Sequence, residues 1–268
     1  TRLITGWSSV QARESPPFIG ENMLLYHGTT EKAARAALIK GLRPRKSVGI
    51  ESNWEECPSS PYHVYLTSAY APYFAMSACE EGNRWAILEV DTEQLIESDL
   101  FPDEDFLEQV SRTMDLPESW ELEGVPMVGR TEWFRNNLSR FQPLWEKSVE
   151  LLGNCSHFGP IPVNAITRVA VIDPKTCIQM TMLSSGPMIT LGNFSRCGNH
   201  YKSMTRWFMG EDIKPEDISS TVSEEEVAAI AASPDVPPGV VEHFRQKRAS
   251  YEETLADRSG VEIINIGG

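Results

Sequence analysis

The chain has 268 residues, 41 % of them hydrophobic, which suits one large domain, or one domain with a smaller appendage, around a sizeable core. Its net charge of −14 argues against gripping polyanions through a general electrostatic field and leaves only a local basic groove for that purpose. The five cysteines (Cys57, Cys79, Cys155, Cys177 and Cys197) form no CxxC pair, so reduced thiols in a cytoplasmic protein are expected, with no metal. No stretch is long and apolar enough to cross a membrane, and residues 1–15 lack the hydrophobic run of a secretory signal.

Residues 1–22 read as an irregular lead-in with Pro16 and Pro17. The apolar run 23–26 predicts a strand. Thr30 offers an N-cap with Glu31 in the first turn, an alanine-rich helix follows, and Gly41 ends it. Residues 43–62 are loop-like, and their basic cluster (with Arg35 and Lys40) reads as a solvated helix end and loop. A strand is expected over 63–67, a helix over 71–79 with Pro72 in its first turn, and an alternating strand over 85–90. Residues 101–147 carry Trp, Phe, Glu and Arg at helical spacing and predict a helical insertion. Strands are expected at 148–152, 166–172 and 178–183, and a short helix over 201–209. Ser223-Glu224-Glu225-Glu226 is a capping-box pattern that opens a helix to 232, and a second helix is expected over 240–256. Residues 211–268 hold thirteen acidic and five basic side chains, and read as an acidic helical segment beyond a domain of residues 1–210. It lies outside every motif, so a partner-binding role and no part in cofactor binding are expected of it.

Three pieces carry chemistry. In Leu24-Leu25-Tyr26-His27-Gly28-Thr29-Thr30 a strand delivers a histidine that can bond a ribose hydroxyl, then a glycine whose backbone a flat ring can approach closely. Val64-Tyr65-Leu66-Thr67, followed by Tyr70 and Tyr73, supplies rigid aromatic faces. The stretch from Val149-Glu150-Leu151-Leu152-Gly153-Asn154 to Gly159-Pro160-Ile161-Pro162 brings a carboxylate and then a turn-rich loop. Each alone is weak, because a lone histidine or tyrosine is more often structural.

In this order, with Gly41-Leu42-Arg43-Pro44 between the first two, the motifs resemble those of the ADP-ribosyltransferase superfamily, in its His–Tyr–Glu branch and its DarT-type toxin group. The resemblance covers residues 22–185. It implies an α+β fold with a split β-sheet core and NAD in its cleft, and the transfer of ADP-ribose to a macromolecular acceptor, protein or nucleic acid, by a toxin or effector. It implies that His27 holds one of the two riboses and Gly28 the nicotinamide amide, that Tyr65 and Tyr73 flank the nicotinamide, and that Thr29 and Leu66 lie in the same two cofactor strands. A glutamate near the ribose 2′-hydroxyl would stabilise the oxocarbenium-like centre. A gap-free alignment puts Asn154 at that place and a longer loop puts Glu150 there; Glu150 is preferred for its charge and its expected strand. Two other readings stand beside this one. An RNA 2′-phosphotransferase-like enzyme is kept open by His63, and an inactive NAD-binding module by Asn154. In the insertion, Trp133, Arg135 and Arg140 suit either a nucleic-acid acceptor or helix packing.

Overall fold

The computed structural model describes residues 23–52, 58–111, 122–177, 189–218, 223–233 and 236–266. The protein is mixed α+β. In chain order the elements are β1 (Leu24–Thr30), α1 (Glu31–Lys40), α2 (Arg45–Val48), β2 (His63–Thr67), α3 (Ala71–Ser77), β3 (Trp85–Asp91) and β4 (Leu100–Pro102). There follow α4 (Glu104–Val110), α5 (Met127–Asn136), α6 (Trp145–Leu152), β5 (Asn154–Phe158), β6 (Ile166–Ile172) and α7 (Leu191–Phe208). The last are α8 (Pro215–Ile218), α9 (Glu224–Ala232), α10 (Pro238–Ala256) and β7 (Val261–Asn265).

The strands form one sheet in the order β4-β5-β2-β1-β3-β6-β7, with every neighbour antiparallel. Its two faces bury different layers. Leu25, Val64, Leu66, Ala86, Leu88 and Cys155 pack against Ala34 and Ala37 of α1 and Trp145 and Val149 of α6. On the opposite face Tyr26, Trp85 and Ile87 meet Ala71 and Ala75 of α3 and Met204, Trp207 and Phe208 of α7. A third cluster, with Phe106, Phe134 and Phe141, holds the insertion together. No helix among the described residues is long and apolar enough to cross a membrane.

Local chemistry fixes the element ends as expected at several points. The Thr30 side chain accepts from Ala33 N–H to open α1, and Gly41 closes it at φ 74°. The Ser223–Glu226 capping box opens α9 with both reciprocal bonds in place. The described residues of 101–147 are mainly helical, but the first two finish β4 at the sheet edge.

Three expectations are corrected. Residues 148–152 are not a strand: they complete α6, whose buried Trp145, Ser148, Val149 and Leu152 follow helical spacing. The helix expected over 201–209 starts ten residues earlier, at Leu191. The segment after 210 is not a purely helical appendage, because β7 pairs with β6 from Arg168↔Asn265 to Ile172↔Val261, and Leu255 joins the core. The Trp207 indole N–H donates to the Leu255 carbonyl at 2.9 Å, and Arg84 reaches Glu262 at 2.9 Å. The strand expected at 178–183 and the lead-in 1–22 lie outside the described residues.

Candidate functional site

The sheet narrows at one junction. The β1–β3 ladder runs from Leu24↔Asp91 to Thr30↔Trp85, whereas the β1–β2 ladder registers a single pair, Tyr26↔Thr67. Hydrogen bonds at the two ends of β1 fix which way its backbone groups point. Thr92 N–H donates to the Met23 carbonyl and Glu31 N–H to the Arg84 carbonyl, so odd-numbered residues of β1 bond β3. Even-numbered residues therefore turn N–H and C=O toward β2. Tyr26 meets Thr67 there, and Gly28, two residues on, registers no partner on β2, which leaves an opening in the hydrogen-bond ladder. The same argument applies to β2. Gly159 N–H donates to Tyr62 C=O and Ser68 N–H to Gly153 C=O, so even residues bond β5 and odd residues face β1.

His27 spans this opening. Its Nδ1 lies 2.8 Å from the Tyr65 carbonyl oxygen, a side-chain bond where a ladder bond would otherwise run. Nδ1 is therefore the protonated nitrogen of a neutral ring, and Nε2 is left as an acceptor. Burial lowers the His27 pKa, and the carbonyl partly opposes that shift.

Residues directly opposite in an antiparallel pair share a face. Through Tyr26↔Thr67, Thr67↔Asn154 and Tyr65↔Ser156, the side chains of Tyr65, Asn154 and Ser156 lie on the Gly28 face of the sheet. The Tyr65 hydroxyl accepts from Ser60 N–H at 2.8 Å and donates to Glu104 Oε1 at 2.6 Å. Burial first, and the Glu104 charge second, hold its pKa well above the ordinary phenol value. Glu104 is 4 % exposed, and Arg135 Nε lies 3.4 Å from its Oε1. Three buried atoms near this place lack hydrogen-bond partners: Glu104 Oε2, Asn154 Oδ1 and Ser156 Oγ. Native interiors leave few such atoms, because each costs roughly 1–3 kcal/mol.

His63, on the same face as Tyr65, stands edge-on between the rings of Phe101 and Phe158, with Nδ1 2.7 Å from Ser60 Oγ. Burial, with a smaller contribution from His157, pulls its pKa down to about 4.

Of the residues singled out in the sequence, the structure brings together His27, Gly28, Tyr65 and Asn154. The others lie differently. Glu150 is on helix α6, not on a strand; its side chain is 53 % exposed and pairs with Lys147 at 2.8 Å, so the premise for preferring it is gone. Asn154 is the residue that begins a strand, and it is 5 % exposed. Leu66 packs its side chain into the α1 layer and gives its backbone to β5. Thr29 is half-buried, with its backbone bonded to β3. Tyr73 lies two residues from both Ala71 and Ala75, which face Gly28, so helical spacing puts it on the far side of α3. Gly28 itself serves a different close approach: a Cβ there would collide with the Ala71 carbonyl and lie 2.5 Å from Ala75 N, so its missing side chain seats α3 rather than a ring. In the insertion, Arg140 lies over the Trp133 ring at 5.5 Å and Arg135 pairs with Glu104, so these groups act within the fold.

Sequence reading missed Glu104. Its only local signal is an acidic first turn, where the Asp103 carboxylate caps α4 by accepting from Asp105 N–H. No model of a known protein family matches the chain, and no curated protein matches it.

Proposed function

We infer that this chain binds NAD in the opening between β1 and β2 and moves its ADP-ribose to a macromolecular acceptor, as an ADP-ribosyltransferase of toxin or effector type. The observation that carries this reading is the opening itself. Gly28 turns a backbone donor and acceptor into it, His27 crosses it to the Tyr65 carbonyl, and Tyr65 and Asn154 share the adjoining face. A carboxamide needs just such a paired donor and acceptor. His27 Nε2 is left to accept from a ribose hydroxyl, and the half-buried Tyr65 ring offers a stacking face. In the reaction the bond from C1′ to the nicotinamide nitrogen breaks, and its electron pair leaves with nicotinamide. The acceptor nucleophile bonds to C1′ and releases its proton.

Asn154 favours a second reading. An amide can accept from the 2′-hydroxyl but brings no charge to C1′, and the loss of such a group typically slows a reaction by about 10²–10³. A slow transferase and a non-catalytic NAD-binding module both fit that residue.

The test is NAD affinity and nicotinamide release, measured on the parent and on His27→Ala, with labelled NAD offered to separate protein, DNA and RNA pools. Label in one pool identifies the acceptor class. Binding without release favours the module. Absence of binding, or an affinity untouched by His27→Ala, overturns the assignment.

A further inference from the structure

Resting on that reading, we propose that the negative charge of the cleft comes from Glu104 of α4, held against the Tyr65 hydroxyl, and not from a carboxylate on β5; it makes the cleft selective for a cationic pyridinium ring.

The β5 side chains on this face, Asn154 and Ser156, are both neutral, so a ligand there meets no charge from that strand. Glu104 is the carboxylate whose bonding leads to the cleft. It takes the Tyr65 hydroxyl proton at 2.6 Å, while Ser60 N–H occupies the phenol oxygen from the other side at 2.8 Å. These two bonds fix the rotation of the hydroxyl and plant the ring. Glu104 Oε2 is sealed and without a partner, so one oxygen of this carboxylate is uncommitted within the fold.

Other charges lie close by. Arg135 approaches the same Oε1, and Arg130 is taken up by Glu108. Asp103 and Asp105 flank Glu104, and burial holds both above the usual carboxylate range, Asp105 at about 6. Asp103, held well above the carboxylate range, adds no charge at neutral pH, and Glu108 is matched by Arg130, so Glu104 is the carboxylate that acts on Tyr65. A ring stacked on Tyr65 sits in its field. The oxidised nicotinamide of NAD is a cation; the dihydronicotinamide of NADH has the same outline and no ring charge. Glu104 is thus a positioning residue, acting through Tyr65 and through space.

The measurement is the ratio of NADH to NAD⁺ dissociation constants by calorimetry, for the parent chain, Glu104→Gln and Arg135→Gln, with thermal unfolding recorded for each. The parent should prefer NAD⁺ on the order of tenfold, the scale of one partly screened unit charge a few Å away. Glu104→Gln, of the same shape, should bring the ratio near one. Arg135→Gln, which uncovers the carboxylate, should raise it, and this arm stands even if Glu104→Gln fails to fold. A parent that binds both forms equally, or a ratio that survives Glu104→Gln or fails to rise in Arg135→Gln, overturns the role of Glu104 and leaves the NAD reading intact. A parent that binds neither form overturns both.

Discussion

The two halves of the sheet, β1-β3-β6-β7 and β4-β5-β2, are built on opposite terms. In the first, Trp85, Ala86, Ile87, Leu88 and Val90 of β3 are each at most 1 % exposed, buried on both faces of a long ladder whose irregularity is a register shift at Glu89/Val90 against β6. Its one deeply buried carboxylate, Glu89, is held by Arg168 Nε at 2.8 Å and by Thr167 Oγ1 at 2.6 Å. In the second half, buried carboxylate, amide and hydroxyl oxygens at Glu104, Asn154 and Ser156 go without partners. Orphaned atoms occur in both halves, at Trp85 Nε1 on β3 in the first, but the unpaired oxygens gather around the second.

The largest way to break this comparison is to remove β7. A chain ending at Asp257 loses the half-buried Val261, Ile263 and Ile264 and uncovers the edge of β6. A destabilisation of about 3 kcal/mol is expected from half-burying three aliphatic side chains, measured by urea unfolding. A truncated chain of parental stability would mean that the first half does not depend on its last strand.

The next effect is pH-dependent and belongs to the second half. His63 has a folded pKa of about 4, below the ordinary 6.5. Between these values the unfolded chain takes up a proton that the folded chain refuses, so stability falls as pH drops from 6.5 to about 4. The buried Asp103 and its solvent-exposed neighbour Asp105 act with the opposite sign, since their raised values let the folded chain bind protons first. His27 and His157, both lowered, share the direction of His63. The parent profile is therefore a sum, and the difference between His63→Gln and the parent isolates one term. That difference should move in favour of the variant as pH falls through the window, with a slope approaching one proton. A flat difference would place His63 in water-like surroundings.

The smallest effects sharpen the comparison. Ser156→Ala removes an unpaired hydroxyl and should leave stability unchanged within about 1 kcal/mol, or raise it. It should weaken NAD binding if the cleft face is the site. Glu150→Gln breaks only an exposed pair with Lys147 and should change stability by less than about 0.5 kcal/mol and nicotinamide release not at all. A loss of release in Glu150→Gln would return that residue to the site.

Strands β1, β2, β3 and β6 were legible because their apolar runs are short and bounded by turn and cap residues that act locally. Helix α6 was misread because the window 148–152 is too short to separate the two periods; extending it to Trp145 exposes the helical stripe. Strand β7 is a plain Val-Glu-Ile-Ile-Asn run, hidden by its place after two helices and by a partner far away in sequence. In the candidate site, His27 and Tyr65 carried motifs. Glu104 could not be read, because its meaning lies in one hydrogen bond to a residue 39 positions earlier. An acid after an N-cap has a sufficient local explanation, and only the folded chain supplies the second one.

The pairing of β6 with β7 also sets an order of events. Their partners stand about ninety residues apart, so the closing of this edge is one of the most non-local steps in folding. On the ribosome, β6 with its Val169, Ala170, Val171 and Ile172 is complete while α7 through α10 are still to be made. Through that interval a strand that ends on four apolar residues presents an open row of amides and carbonyls, the kind of edge on which chains add to one another. Helix α9, with Glu224, Glu225 and Glu226 in its first turn, and the evenly charged helix α10 are synthesised within the same interval, so the segment next to the open edge is charged until β7 arrives to close it.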